Sequence, residues 1–70
     1  MPYPSNADLP VPIRRHLPPP AQNLYREAFN HAWDTYANDR RREEIAHRVA
    51  WVAVKRQFHK GRDGDWELNT

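Results

Sequence analysis

An unbroken helical spacing of apolar residues in the middle of the chain restricts the fold more than any other feature of the sequence. After the proline triplet at residues 18–20, apolar residues recur every three or four positions: Ala21, Leu24, Tyr25, Ala28, Phe29, Ala32, Trp33 and Tyr36. This spacing is typical of one face of an α-helix. It predicts an amphipathic helix over about residues 20–37, roughly 27 Å long, whose aromatic rings belong to the core.

Two further segments are predicted to be helical. A helix over about residues 41–59 carries apolar side chains around much of its circumference, which predicts that it is the central and most buried helix. A short helix over about residues 9–17 has Pro10 in its first turn and stops before Pro18. Because the connection between the two long helices is short, we expect them to be antiparallel neighbours.

The chain ends complete the predicted fold. Gly61 and Gly64 end the helical region, and residues 65–68 alternate in character, which predicts an extended tail. We expect this tail to pair with residues 1–4. The predicted fold class is mainly α: one compact three-helix domain over residues 1–70, with one short helix, two long antiparallel helices and a two-stranded ribbon formed by the termini.

Composition excludes several classes of site. The chain has 70 residues and no cysteine, which excludes a disulfide scaffold, a thiol nucleophile and any cysteine-based metal site. Three Trp, three Tyr and two Phe are expected to supply the packing that cross-links supply in other short domains. The sequence has no secretory signal pattern and no apolar run of about 20 residues. We therefore expect a cytoplasmic protein that does not insert into membranes.

The sequence offers little for catalysis or metal binding. Glu44 and His47 have the spacing found in di-iron carboxylate helices, but such a site needs this motif twice and two further inward glutamates. Glu27 and His31 add one pair beside a polar face, and no residue is placed to activate Ser5, the only serine. We expect no catalytic residue, no metal site and no cofactor. His47 is interpreted as a partly buried residue bonded to backbone or to a glutamate.

Positive charge suggests a second function class. Lys and Arg number 11 against 9 Asp and Glu, and an arginine run occupies residues 40–42. Further cations are Arg14, Arg15, Arg48, Lys55, Arg56, Lys60 and Arg62. If the short helix packs near the start or the end of the helix over residues 41–59, the arginines at residues 14–15 could join the cations there in a phosphate-binding patch. However, Glu43 and Glu44 follow directly, and Arg48 has the spacing to pair with Glu44. We therefore prefer to interpret the run as a solvated, charge-balanced turn.

Several short motifs follow one another over nearly the whole chain. They are Met1-Pro2-Tyr3, Asp8-Leu9-Pro10, Leu17-Pro18 with Ala21-Gln22, Tyr25-Arg26-Glu27-Ala28-Phe29-Asn30 with Ala32-Trp33, Arg42-Glu43-Glu44, Ala46-His47-Arg48-Val49-Ala50-Trp51, Ala53-Val54-Lys55-Arg56, Lys60 and Trp66. In this order they resemble the ChaB family, small bacterial proteins named as cation transport regulators. The resemblance implies three helices with a small sheet formed by the chain ends, and a role near a sodium or calcium/proton antiporter. Family members in phages and large DNA viruses, or fused to a Rho-terminator-like domain, keep nucleic-acid binding open.

We therefore expect a small non-enzymatic regulatory module, monomeric or weakly oligomeric, that binds a protein partner such as a cation/proton antiporter or an associated protein. The alternative is a small nucleic-acid-binding protein that uses the arginine run. Trp51 either contacts the first helix and the terminal ribbon or is an exposed anchor for a partner, Trp66 has the same two interpretations, and either ring could pack against Tyr3. The predicted contact surface, where alanine changes should weaken binding and leave the melting temperature nearly unchanged, consists of Arg26, Glu27, Asn30, Asp34, Arg40, Arg41 and Arg42.

Overall fold

The structure, a computed structural model that describes residues 2–69, has three α-helices and one two-stranded antiparallel ribbon. The helices are α1 (Val11–His16), α2 (Pro19–Thr35) and α3 (Arg42–Lys55). The ribbon pairs β1 (Phe58–Lys60) with β2 (Trp66–Leu68). The mainly α class, with one short and two long helices, is confirmed, and each helix is shorter than its predicted range.

Prolines determine where α1 and α2 begin. Pro12 lies in the first turn of α1 and Pro19 is the first residue of α2, where the missing amide donor of proline costs no helical hydrogen bond. Leu17, between the two helices, is extended because the residue before a proline avoids the helical region. The Gln22 side-chain amide donates to the Leu17 carbonyl at 2.8 Å, and this hydrogen bond ties α2 to the end of α1.

The core lies where α2 packs against α3. Tyr25 and Phe29 of α2 are fully buried, and α3 presents the small residues Ala46 and Ala50 to this core, which lets the two helices approach closely. The predicted aromatic face is therefore correct for its central members. Tyr36, which the same spacing assigned to the core, is 41% exposed because α2 has already ended before it.

The prediction that α3 is the most buried helix is wrong. Its fully buried residues are Ala46, Ala50 and Val54, whereas α2 buries four residues. Val52, also apolar, is 49% exposed. The two long helices pack on each other, and the 3₁₀ turn Asn6–Asp8 and Tyr3 cover α2 in addition, whereas Val52 and its neighbours on one side of α3 stay at the surface in the part of the chain that the structure describes.

The ribbon forms, but with a different partner strand from the predicted one. β2 pairs with β1, directly after α3, and not with residues 1–4, of which Met1 lies outside the described residues. α3 ends early enough to leave Phe58 for β1, and Gly64 forms the turn at φ +90°, a conformation that other residues rarely adopt. A local hairpin is favoured because closing a short loop costs less entropy than joining the chain ends.

The N-terminal segment packs on α2 instead. The Tyr3 amide donates to Asn30 Oδ1 at 2.8 Å, and the Tyr3 carbonyl accepts from Asn30 Nδ2 at 2.9 Å. The Tyr3 ring centroid lies 4.7 Å from that of Phe29. One asparagine thus holds the segment by two hydrogen bonds, and the segment covers one end of the core.

Candidate interaction surfaces

The interior of the domain is filled with apolar side chains. Between residues 2 and 69, no charged residue is fully buried, the hydroxyl of the fully buried Tyr25 bonds to His47, and no buried side-chain nitrogen or oxygen lacks a hydrogen-bond partner. The same residues contain no cluster of His, Asp and Glu suited to a metal ion. None of the described helices has the length and apolar character that crossing a bilayer requires. The candidate sites described below are accordingly exposed side chains and grooves.

His47 is half-buried and bonds to Tyr25 across the interface between α2 and α3. Its Nδ1 atom lies 2.5 Å from the Tyr25 hydroxyl, and its Nε2 atom lies 3.9 Å from a Glu43 carboxylate oxygen. The sequence suggested a backbone or glutamate partner, but the principal partner is a phenol on another helix. Glu44, the other member of the predicted motif, pairs instead with Arg48 at 3.6 Å, as the spacing of these two residues predicted.

Burial determines the protonation of this pair. It lowers the pKa of His47, an effect that Glu43 partly opposes, and it raises the pKa of Tyr25. The imidazole is therefore neutral near pH 7, and its Nδ1 atom shares a hydrogen bond with the protonated Tyr25 hydroxyl.

We expect the free energy of unfolding to decrease as the pH falls below 6.5, the ordinary pKa of His47. The unfolded chain takes up a proton at that pH, whereas the folded chain does so only at lower pH, so the unfolded state is favoured as the pH falls. Denaturant titrations at a series of pH values measure this slope. His47→Gln is expected to weaken this slope, and an equal slope in the variant and the unaltered chain would contradict the assignment.

Three of the seven residues predicted to contact a partner are engaged within the chain. Arg26 Nε donates to Asn6 Oδ1 at 2.8 Å and ties the 3₁₀ turn Asn6–Asp8, which precedes α1, to α2. Asn30 holds the N-terminal segment, as described above. Arg42 Nε donates to the Trp33 carbonyl at 2.7 Å, and its Cζ atom lies 3.9 Å from the Trp33 ring centroid. Each of the three is half-buried and stabilises the fold.

The other four predicted contact residues are exposed: Glu27, Asp34, Arg40 and Arg41. Arg40 and Arg41 line a shallow depression at the start of α3 together with Glu43 and Glu44, and Asp34, in the last turn of α2, lines a second depression along the connection between the two helices. We call Asp34, Arg40 and Arg41 the corner surface. The arginines at residues 14–15 do not join it, because α1 lies beside the other end of α3.

The structure also forms a groove that the sequence analysis did not predict. It lies between α1, the C-terminal half of α3 and the ribbon, and its volume is about 460 Å³. Trp51 and Trp66 pack on each other there, with ring centroids 5.2 Å apart, so neither ring packs on Tyr3. The one sequence signal of this groove was the interpretation that Trp51 contacts the first helix and the terminal ribbon, because residues of α1 and of the ribbon line the groove with it. Its lining consists of Pro12, Ile13, His16, Trp51, Lys55, Lys60, Gly64 and Trp66.

Known proteins resemble this chain in sequence and in fold. The family model described as ChaB matches residues 9–68. A relative from Escherichia coli strain K12, named "Putative cation transport regulator ChaB", is 51% identical over 72 aligned positions that cover 94% of this chain and 95% of the relative. A relative of the same name from Shigella flexneri has the same identity and coverage. The NMR solution structure of a protein with this name matches with a TM-score of 0.87 and 48% identity, and the match covers 99% of this chain and 100% of that chain.

Proposed function

Because this chain belongs to the ChaB family, we propose that it is a small regulatory module that acts without catalysis, by binding a protein partner through its exposed helical surface. The names of its relatives concern cation transport. The partner that we propose is therefore a cation/proton antiporter or a protein associated with one.

The observation that carries this proposal is the corner surface, where exposed charges of both signs lie beside side chains that hydrogen bonds hold in place. Asp34, Arg40 and Arg41 are exposed, while the neighbouring Arg42 is fixed on the backbone and ring of Trp33. A carboxylate oxygen of Asp39 accepts from the Arg41 amide at 2.8 Å, which orders the turn itself. Charges of both signs on an ordered surface favour recognition of a protein with a complementary pattern.

Nucleic-acid binding has less support from the same residues. Arg42 is engaged with Trp33, so two of the three arginines in the run remain exposed. Glu43 and Glu44 follow immediately, and Glu44 already pairs with Arg48. Nearby carboxylates weaken the potential that attracts a polyanion.

The double variant Arg40→Ala/Arg41→Ala tests the proposal in a pull-down with the full chain. Extracts of cytoplasm and detergent-solubilised membranes are applied at about 50 and 200 mM salt, with and without nuclease, and bound proteins are identified by mass spectrometry. We expect an antiporter or an associated protein to remain bound after nuclease treatment. The variant should retain about tenfold less of it, which corresponds to about 1.4 kcal/mol.

Arg56→Ala/Arg62→Ala is the matched control, because it removes two exposed arginines outside the corner surface. It should retain the partner like the unaltered chain, and both double variants should keep its melting temperature. Equal retention by the Arg40→Ala/Arg41→Ala variant would remove the corner surface from the proposal. Retention that disappears with nuclease, or that falls steeply with salt, would indicate nucleic acid instead.

A further inference from the structure

We propose that the groove between α1, α3 and the ribbon binds an acidic peptide segment of the partner, with a bulky apolar side chain of that segment seated against Trp51 and Trp66. This inference rests on the proposed function, because it names the chemistry by which the protein partner is recognised at a second surface.

The lining of the groove suits an apolar side chain. α1 contributes Pro12 and Ile13, and the two indole rings of Trp51 and Trp66 form the opposite side. The volume of about 460 Å³ lies within the range of about 300–1,000 Å³ found for ligand pockets. Pockets lined by tryptophan are places where one buried anchor contributes much of the binding energy.

The elements around the groove also carry most of the exposed apolar side chains. The described surface exposes four large ones: Val11, Tyr36, Val52 and Leu68. Three of these belong to α1, α3 and β2, the elements that form the groove, and Val11 and Val52 directly adjoin the lining residues Pro12 and Trp51 in sequence. None of these three side chains lines the groove, but each lies on an element that borders it.

The charges of the groove select an acidic partner. Lys55 and Lys60, the only lysines in the sequence, both line the groove and are exposed. Neither forms an ion pair with another described residue, and no carboxylate of residues 2–69 lines the groove. The third basic residue, His16, pairs with Asp65 at 3.3 Å. Two flexible ammonium groups beside an apolar surface suit carboxylates that flank an apolar side chain.

Other occupants fit the groove less well. A nucleic-acid strand needs a continuous basic track and open aromatic faces on which bases stack. Here two lysines line the groove, Lys60 also borders the carboxylates of Asp63 and Glu67, and the indole rings of Trp51 and Trp66 pack on each other. A second copy packed groove to groove would bring the same two lysines against those already present, which repels.

The groove and the corner surface can be tested separately because they lie at opposite ends of α3. The helix Arg42–Lys55 is about 20 Å long. A change in one surface therefore leaves the contacts of the other in place.

An NMR titration of the full chain tests the groove. The probe is the peptide acetyl-Asp-Glu-Phe-Leu-Asp-Glu-amide, and the reporters are the three indole N–H signals. We expect the signals of Trp51 and Trp66 to shift in a saturable manner. The signal of Trp33 should stay in place, because that ring lies under Arg42 near the corner surface.

Two charge-reversal variants with equal changes in net charge provide the comparison. Lys55→Glu/Lys60→Glu should weaken peptide binding at least about tenfold. Arg40→Glu/Arg41→Glu should change it less than about twofold, because these arginines lie at the other end of α3. All four side chains are exposed, so both variants should keep the fold, and the three indole signals report whether they do.

Control probes define the outcomes that overturn the inference. If a peptide with serines in place of Phe-Leu binds equally well, no apolar side chain of the peptide is needed for binding. If a peptide with glutamines in place of its acidic residues binds equally well, the lysines do not select acidic segments. Shifts of Trp51 and Trp66 with oligo-dT alone, or on raising the protein concentration alone, would assign the groove to nucleic acid or to a second copy. No shift with the peptide, while the pull-down still depends on Arg40 and Arg41, would overturn the groove and leave the proposed function standing.

Discussion

Phe29→Ala is expected to leave the domain largely unfolded at 25 °C. The Phe29 ring is fully buried, and truncating such a ring costs about 3–5 kcal/mol. A single core in a chain of this size rarely supplies more than about 3–5 kcal/mol, so the loss is comparable to the whole stability. The cooperative thermal transition measured by circular dichroism at 222 nm should disappear. The rings that would lose this contact are Tyr3, Tyr25, Trp33 and His47.

Tyr36→Ala is the matched control for Phe29→Ala. Both rings lie on the same helical spacing in the sequence, but Tyr36 is 41% exposed. We expect this variant to melt cooperatively within about 5 °C of the unaltered chain, since surface changes usually cost less than about 0.5 kcal/mol. A Phe29→Ala protein that melts as Tyr36→Ala does would contradict the packing of the core.

Asn30→Ala is expected to lower the melting temperature by about 8–16 °C. The variant loses both hydrogen bonds to Tyr3, each of about 1 kcal/mol, and in a domain of this size 1 kcal/mol corresponds to about 4–8 °C. Scanning calorimetry measures the shift. Hydrogen exchange of the Tyr3 amide should accelerate, because this amide loses its acceptor.

Glu27→Ala is the control that shows whether the lower melting temperature is specific to the loss of the Asn30 side chain. Glu27 lies one turn earlier on α2, is exposed, and was assigned by its sequence to the same contact surface. This variant should melt like the unaltered chain. If Asn30→Ala also melts like the unaltered chain, and the Tyr3 amide exchanges at its original rate, the two hydrogen bonds between Asn30 and Tyr3 do not stabilise the fold.

The seven residues of the predicted contact surface differ in how much they stabilise the fold. The sequence indicated that alanine at any of its seven positions should leave stability unchanged. We now expect that result at the exposed residues, including Glu27, Asp34 and Arg40, and a loss of stability at Arg26, Asn30 and Arg42, whose side chains bond within the chain. Weaker partner binding in the second group would not by itself identify a contact.

Features that repeat along the chain were predictable. The spacing of Tyr25 and Phe29 specified both a helix and its buried face, because helical geometry alone places residues three or four apart on one side. Ile13 and Leu17, also four apart, are 8% and 3% exposed, as their spacing predicted. The prolines before α1 and α2 likewise act through their own covalent ring, which needs no distant residue.

Features that depend on distant residues emerged only once the chain was folded. Asn30 looks like any exposed polar residue of an amphipathic helix until Tyr3, 27 positions away, packs beside it. The groove forms only because α1, α3 and the ribbon meet around Trp51. The sequence of β2 was compatible with pairing either to the N-terminal residues or to β1, with which it pairs. The geometry of one helix determines which residues share a face. The exposure of a given side chain depends on what packs over it, and this packing is determined only when the helices and strands assemble.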